Sequence, residues 1–304
     1  QSCTFSSSGT FHCKIVMDSD HEAYILLLLS DGNLPTGSFV ASAGLESYVT
    51  HGFFSTTQST PVDKLDATTN FIRDSLATYA RSTLPYVSDA HEIVRELLLD
   101  IPQEGEDSLG RAISKIRTLD DLYEAMTLNH VARRASKSQG VALLTLFTKG
   151  FSKPTFLVNN TSTEGAEVDK EACAVTLVNK LKLLVRREDT HGHLPICWGV
   201  LTAVLGLSLE RSQSLHLFLH ARSLLSASVR LNTIGPYAAQ QLLLHAVRPL
   251  VEAETVKCRD LRTGYDATAD SDLDKVTNGP ATTWPLGEIL AARHDLQHSR
   301  IFNS

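Results

Sequence analysis

The sequence lacks the features that mark several large classes of protein. Its five cysteines are widely spaced and contain no Cys-x-x-Cys pair, which argues against a disulfide framework or a zinc knuckle and favours a reducing compartment. No run approaches the roughly eighteen apolar residues that a membrane span requires. The start, QSCTFSSSGTFHCK, has no basic segment followed by an apolar core, so it does not resemble a secretory signal. We therefore expect a cytoplasmic protein.

Signals of nucleic-acid binding and of common catalytic chemistry are also missing. The formal net charge of −6 gives no indication of a nucleic-acid or anionic-membrane partner. There is no G-x-x-x-x-G-K-[ST] loop, no strand-anchored G-x-G-x-x-G and no strand–G-x-S-x-G–helix context. The carboxylates form no obvious acid/base pair. These absences favour a helical protein that works by contact.

The dominant sequence period is helical, and strand signals are nearly absent. We predict that Pro85 begins a new helix after residues 63–83, and that Pro249 kinks or breaks the helix that starts at Pro236. Two aperiodic stretches rich in Gly, Ser, Thr, Asn and Asp predict long loops. The predicted architecture is an all-α helical-bundle domain of about ten helices over residues 21–304, with a flexible segment at 1–20 and loop insertions at about 150–167 and 262–284.

Six of the twelve histidines occur in three close pairs: His294 and His298, His216 and His220, and His191 and His193. On a helix, the i, i+4 spacing of His294 and His298 is that of a zinc-binding pair, although Asp295 stands where a metalloprotease has glutamate. The leucine-rich surroundings of His216 favour packing. A metal enzyme or metal carrier therefore remains an alternative to a contact protein.

The segment SDGNLPTGSFVASAGLE, residues 30–46, is unusual for its small side chains. A helix beginning at Gly37 would place Gly37, Ala41 and Gly44 on one face, where small residues let a second helix approach closely. Pro35 and the preceding glycine predict the turn before it. The pattern fits either packing within the chain or a helix seam in an oligomer.

Five stretches, in order, resemble the motifs of the UreF family of urease accessory proteins. The first, LLLLSDGNLPTGSFVASAGLESYVTHGFF, resembles the family's Leu-Pro-x-Gly-(Ser/Ala)-Phe turn followed by Gly-Leu-Glu. The other four are RRASKSQGVALL at 133–144, HGHLPICWGVL at 191–201, SASVRLNTIGPYAAQQLL at 226–243 and HDLQHSRIFNS at 294–304. The long loop insertions suggest a eukaryotic member similar to fungal or plant proteins.

The resemblance implies an all-α homodimer without catalytic activity that assists nickel insertion into apo-urease. Its implied partners are UreD, called UreH in some species, and the GTPase UreG, which it recruits and modulates. Nickel and GTP would be handled by these partners, so no stably bound cofactor is expected. The open alternatives are a nickel carrier or metal enzyme using the paired histidines, and a helical adaptor for a different complex.

The resemblance also implies two groups of functional residues. The expected partner-binding residues are Arg133, Lys137, Gln139, Arg230, His294, His298, Arg300, Ile301 and Phe302. The expected helix-packing or dimer residues are Pro35, Gly37, Ser38, Phe39, Ala41, Gly44, Leu45 and Glu46. In the family the C-terminal end is associated with the UreD interface, so we interpret His294 and His298 as contact residues. A transient nickel contact at these two histidines is the alternative.

Overall fold

A computed structural model describes residues 19–54, 60–99, 105–154, 165–265 and 279–304. Helix predominates throughout these ranges and they contain no strand, which confirms the predicted all-α domain of about ten helices. None of the helices in these ranges is long and apolar enough to cross a membrane. Residues 1–18 of the predicted flexible segment 1–20 and the middle of both predicted loops lie outside the described residues, whereas Ser19 and Asp20 already belong to the first helix.

Eleven α-helices follow one another along the described part of the chain. The first five are α1 (Ser19–Leu29), α2 (Leu45–Thr50), α3 (Pro61–Leu99), α4 (Gly105–Met126) and α5 (His130–Leu146). The remainder are α6 (Gly165–Arg186), α7 (Leu194–Val204), α8 (Leu209–Arg230), α9 (Pro236–Gln241), α10 (Arg248–Cys258) and α11 (Pro285–Ala292). Two π-helical segments, Phe147–Phe151 and Leu242–Val247, and two 3-10 turns, Ser38–Val40 and Arg293–Leu296, complete the described helical structure.

Helix α3 is the central element of the domain. It packs against α4, α7, α8 and α10, and it contributes buried residues to both apolar clusters of the core. Tyr86 belongs to one cluster and Phe71 to the other. Helix α7 packs tightly against α3 at Gly199, where a Cβ would lie only 2.6 Å from the Val87 carbonyl oxygen. A glycine is therefore required at this crossing.

The predicted helix break at Pro85 is wrong, because α3 continues through this residue. Proline has no N–H, so the carbonyl of Arg81 loses its helical donor. The backbone N–H of Ala281 donates to that carbonyl at 3.4 Å. Leu84 and Tyr86 on either side are completely buried, and their burial offsets the cost of the missing hydrogen bond. At Pro249 the predicted disturbance is confirmed, since a π-helical segment precedes α10 there.

The predicted helix over residues 37–44 is also wrong. Gly37 and Gly44 have φ angles of 75° and 85°, and Ala43 has a φ of 48°, all in the left-handed region that an α-helix cannot contain. The 3-10 turn at Ser38–Val40 is the one short regular element in this segment before α2 begins. A Cβ on Gly44 would lie 3.2 Å from the backbone nitrogen of Ala291. The small residues therefore serve a tight turn and its close contact with α11.

Candidate functional site

The C-terminal residues 293–304, here called the tail, fold back onto the irregular segment before α2. The N–H of Ser42 donates to an oxygen of Ser304 at 2.5 Å, and the N–H of Asn303 donates to the Val40 carbonyl at 2.9 Å. Phe302 is 2% exposed and belongs to the second core cluster. The tail is therefore an integral part of the domain in this structure.

The carboxylate of Glu46, near the start of α2, binds the backbone of the tail. Its side chain is almost fully buried and accepts hydrogen bonds from the backbone N–H groups of Ile301 at 2.5 Å and Phe302 at 3.3 Å. Nδ1 of His294 lies 3.7 Å from a Glu46 carboxylate oxygen, and Nε2 lies 3.2 Å from the Phe302 carbonyl oxygen. Burial lowers the pKa of His294. Because a carbonyl oxygen only accepts, Nε2 of His294 is the donor in this contact.

The expected helical pair of His294 and His298 does not form. His294 lies in the 3-10 turn that ends at Leu296, and the backbone becomes extended at Gln297. His294 is buried, whereas His298 is exposed beyond the turn. Across the described ranges, no cluster of three or more His, Cys, Asp or Glu side chains is arranged to hold a metal ion. The metal-carrier hypothesis therefore loses one of its three motivating features, the helical pairing of His294 and His298.

A second attachment joins the tail to α5 through Asp295. Arg134 donates to both carboxylate oxygens of Asp295 at 2.9 Å, and its guanidinium also reaches the Asn303 carbonyl at 3.0 Å. Arg300 donates to the same carboxylate at 2.7 Å, and His130 Nε2 lies 3.2 Å away. The hydrogen bonds from Arg134, followed by its charge, hold the pKa of Asp295 well below its usual range. Arg300 thus has an intramolecular partner while remaining exposed.

Arg230, at the end of α8, lies between two aromatic rings. Its guanidinium carbon is 3.8 Å from the centroid of Phe39 and 4.2 Å from that of Phe302, the geometry of a cation–π sandwich. Burial lowers the pKa of Arg230. Of the residues expected to contact partners, Phe302 and Arg230 are thus used inside the domain. Gln139 is half-buried near Gly37.

Arg133 and Lys137 belong to a separate network that connects α4, α5 and the start of α7. The carboxylate of Glu124 lies 3.3 Å from Nη1 of Arg133, 2.9 Å from Nζ of Lys137 and 2.8 Å from Nε2 of His193. Burial alone would raise the pKa of Glu124, but hydrogen bonds from Lys137 and His193 outweigh it and the pKa is lowered. These two expected partner-binding residues therefore form ion pairs within the chain.

Sequence reasoning missed Asp120, which organises the turn before α7. This buried carboxylate accepts a hydrogen bond from the Thr190 hydroxyl at 2.6 Å and from three successive backbone N–H groups at 191–193. Gly140 of the Ser-Gln-Gly motif lies against this turn, where any Cβ would collide with the Gly192 carbonyl. The sequence feature that could have indicated this role is an acidic residue in α4 together with the His-Gly-His turn, whose backbone N–H groups need an acceptor.

The pair His216 and His220 packs as predicted. Both rings stack on Tyr79, with centroids at 5.1 and 3.8 Å. His220 Nε2 lies 2.9 Å from the Ser75 hydroxyl. Burial lowers the pKa of His216 to about 3 and that of His220 to about 4. Both imidazoles are therefore neutral near neutral pH.

Several large apolar side chains remain exposed around the attached tail. We call this set the tail surface: Leu128, Ile289, Leu296 and Ile301, with exposed fractions of 83%, 57%, 78% and 61%. Asn129 holds the start of α5 against α11 by donating to the Glu288 carbonyl at 3.0 Å. The members of the tail surface thus project from elements that are fixed to one another. Large exposed apolar groups on elements that contact one another make the tail surface the candidate interaction site.

Comparison with known proteins finds one family model and several similar proteins. The family model described as UreF matches residues 62–247. "Urease accessory protein 6" of Cryptococcus neoformans var. grubii is 43% identical over 94% of this chain and 98% of its own. "Uncharacterized urease accessory protein UreF-like" of Schizosaccharomyces pombe is 30% identical over 94% and 99%. "Urease accessory protein F" of Arabidopsis thaliana is 28% identical over 91% and 90%. The expected likeness to fungal and plant proteins is confirmed.

Proposed function

Because this chain belongs to the UreF family of urease accessory proteins, we propose that it is a non-catalytic scaffold that binds UreD, called UreH in some species. The general role in urease maturation follows from the family. The names of the relatives describe accessory proteins rather than enzymes. A scaffold needs an exposed surface, and the tail surface is exposed on elements that hydrogen bonds attach to the domain.

The alternation of side chains along the tail is the observation that carries this proposal. Ile301 and Asn303 are exposed, whereas Phe302 and Ser304 are buried. In an extended segment, successive side chains point to opposite faces. The inner face of the tail is bound to its own domain, and the outer face is free to contact UreD. Because Glu46 and Arg134 already fix the backbone, a partner need not supply the full entropic cost of ordering it.

We further propose that nickel and GTP are handled by the partners, and that no cofactor binds stably to this chain. The three histidine pairs are spread over different elements, and His216, His220, His193 and His294 are committed to packing or hydrogen bonds. The recruited GTPase would be UreG, and the final client apo-urease, within the cytoplasm. A scaffold that binds one nucleotide state of UreG more tightly shifts the equilibrium by that difference in affinity.

The scaffold is expected to be a homodimer in the complex. The resemblance assigns the segment from Pro35 to Glu46 to packing or dimerisation. In this segment Leu45 and Glu46 are buried, whereas Phe39 is 62% exposed. An exposed aromatic ring beside the tail surface would be covered in a symmetric assembly. Light scattering on the complex described below measures this stoichiometry directly.

The test is co-expression with the cognate UreD and UreG, followed by size-exclusion chromatography with light scattering. We expect a complex with two copies of each subunit for the natural chain. Leu296→Asp and Ile301→Asp place a charge on the tail surface without removing a buried group, so each should abolish or strongly weaken UreD binding. Leu27→Asp is the matched control, since Leu27 is 71% exposed on α1, which packs against the other core cluster.

Truncation of the tail would be a weaker test. A chain ending at Ala292 loses the buried ring of Phe302 and leaves Glu46 buried without its two backbone donors, so loss of binding could reflect loss of the fold. If both aspartate variants bound UreD as well as the Leu27 control did, the proposed contact at the tail would be wrong. If the natural chain bound neither partner, the scaffold proposal itself would fail.

A further inference from the structure

Methionine is rare in this chain, and one of its two methionines is exposed at the end of a helix. Met17 lies outside the described residues, whereas Met126 is the last residue of α4 and is 40% exposed. Methionine is oxidised by a common and reversible reaction that turns its apolar thioether into a polar sulfoxide. Because Met126 is exposed, small oxidants reach its side chain in the folded protein.

The sulfur of Met126 is also the hydrogen-bond acceptor of a buried phenol. Oη of Tyr86, on α3, lies 2.8 Å from Sδ of Met126, and Tyr86 is 0% exposed. Burial raises the pKa of Tyr86, so the phenol keeps its proton and is the donor to the sulfur. Among the described residues, this hydroxyl has no other hydrogen-bond partner. The hydrogen bonding of a core residue therefore depends on the oxidation state of Met126.

Oxidation of the sulfur would disturb this contact. A sulfoxide sulfur carries a partial positive charge, so the sulfoxide oxygen replaces it as the acceptor. Either the phenol loses its hydrogen bond, which is costly for a buried hydroxyl, or the end of α4 moves to bring the oxygen within reach. The N–H of Thr127 donates to the Tyr123 carbonyl at 2.9 Å. The rings of Tyr123 and Tyr86 meet edge to face at 5.0 Å, so a change at Met126 acts on this same contact.

We propose that Met126 is a site of reversible oxidation by hydrogen peroxide, and that the sulfoxide loosens the end of α4. A sulfur lone pair attacks one peroxide oxygen, and the S–O bond forms as the O–O bond breaks. The leaving hydroxide takes the proton of the transferred oxygen and departs as water. The sulfur thus loses two electrons and the peroxide gains them. A methionine sulfoxide reductase reverses the change. The proposal does not depend on the scaffold function, because it concerns the isolated chain.

The test treats the full-length chain with hydrogen peroxide and then with a thiol that reduces reversibly oxidised cysteines. Peptide mapping by mass spectrometry should find one added oxygen atom on Met126. The melting temperature should fall by a few degrees, and the amide of Thr127 should exchange with deuterium more rapidly. Met126→Leu is the matched control, since leucine is similar in size and cannot form a sulfoxide. The same treatment should change neither property in this variant.

Tyr86→Phe tests the hydrogen bond itself. This variant keeps the ring but has no hydroxyl, so Met126 should still be oxidised while the melting temperature falls by less than in the natural chain. Equal falls in the two chains would overturn the role assigned to the phenol. The proposal itself would be overturned if Met126 stayed unoxidised in a sample whose Met17 was fully oxidised. It would also be overturned if oxidation left both measured properties unchanged, or if Met126→Leu lost as much stability as the natural chain.

Discussion

Removing the ring of Phe302 is the most direct test of the attached tail. The side chain is 2% exposed, and its ring also forms one side of the sandwich around Arg230. Phe-to-Ala substitutions in cores cost about 3–5 kcal/mol, so Phe302→Ala should lower the free energy of unfolding by about 3–4 kcal/mol. The measurement is guanidinium denaturation followed by circular dichroism. Ile301→Ala is the control, since Ile301 is 61% exposed and should cost no more than about 0.5 kcal/mol.

The free energy of unfolding that Phe302→Ala can lose has an upper limit. If the tail detaches before the domain unfolds, the variant cannot lose more than the free energy of docking. Hydrogen exchange distinguishes this case, because the amides of Asn303 and Ser42 are protected only when the tail is in place. Equal stability of Phe302→Ala and Ile301→Ala, with the same exchange rates at these two amides, would refute the proposed contribution of the tail to the core.

Two further predictions concern the turn before α2 and the buried histidines. Gly44→Ala should lower the melting temperature more than Gly52→Ala: both positions have positive φ, costing roughly 1–2 kcal/mol, but only Gly44 lies against the Ala291 backbone. Equal losses would contradict that close approach. Stability should also fall on acidification below about pH 6.5, because His216 and His220 have folded pKa values of about 3 and about 4 and the unfolded chain therefore binds more protons. His216→Phe should reduce this slope between roughly pH 7 and 5, as measured by denaturant unfolding at each pH; an unchanged slope would contradict a buried neutral imidazole.

Much of the fold could be predicted because the helices bury one face and therefore carry a helical period. The predicted all-α domain of about ten helices is confirmed for this reason. The error at Pro85 arose because proline was expected to break the helix. The burial of the residues on both sides of it stabilises the helix by more than the missing hydrogen bond costs. The stabilising contact comes from residue 281, nearly two hundred positions away. No local pattern records such a donor.

The candidate site was harder to predict, because residue types that suit a partner also suit the chain's own tail. Small residues at i, i+4 and i+7 fit a helix seam, but Gly37 and Gly44 are small because their φ angles are positive. His294 and His298 had helical spacing, yet the helix ends between them. The roles of Glu46 and Asp295 depend on the return of the C-terminus, a long-range contact that composition and spacing do not contain.

Under the proposed scaffold function, the two faces of the tail couple the stability of the domain to partner binding. Phe302 and Glu46 determine how completely the tail is docked, whereas Ile301 presents the outer face. If a partner binds only the docked tail, its apparent affinity is reduced by the fraction of molecules in which the tail is docked. By reciprocity, the same partner stabilises the docked tail and the domain beneath it. Under the same proposal, a substitution at buried Phe302 should weaken binding indirectly through the docked population, whereas one at exposed Ile301 should act on the contact itself and cost no more than about 0.5 kcal/mol of stability.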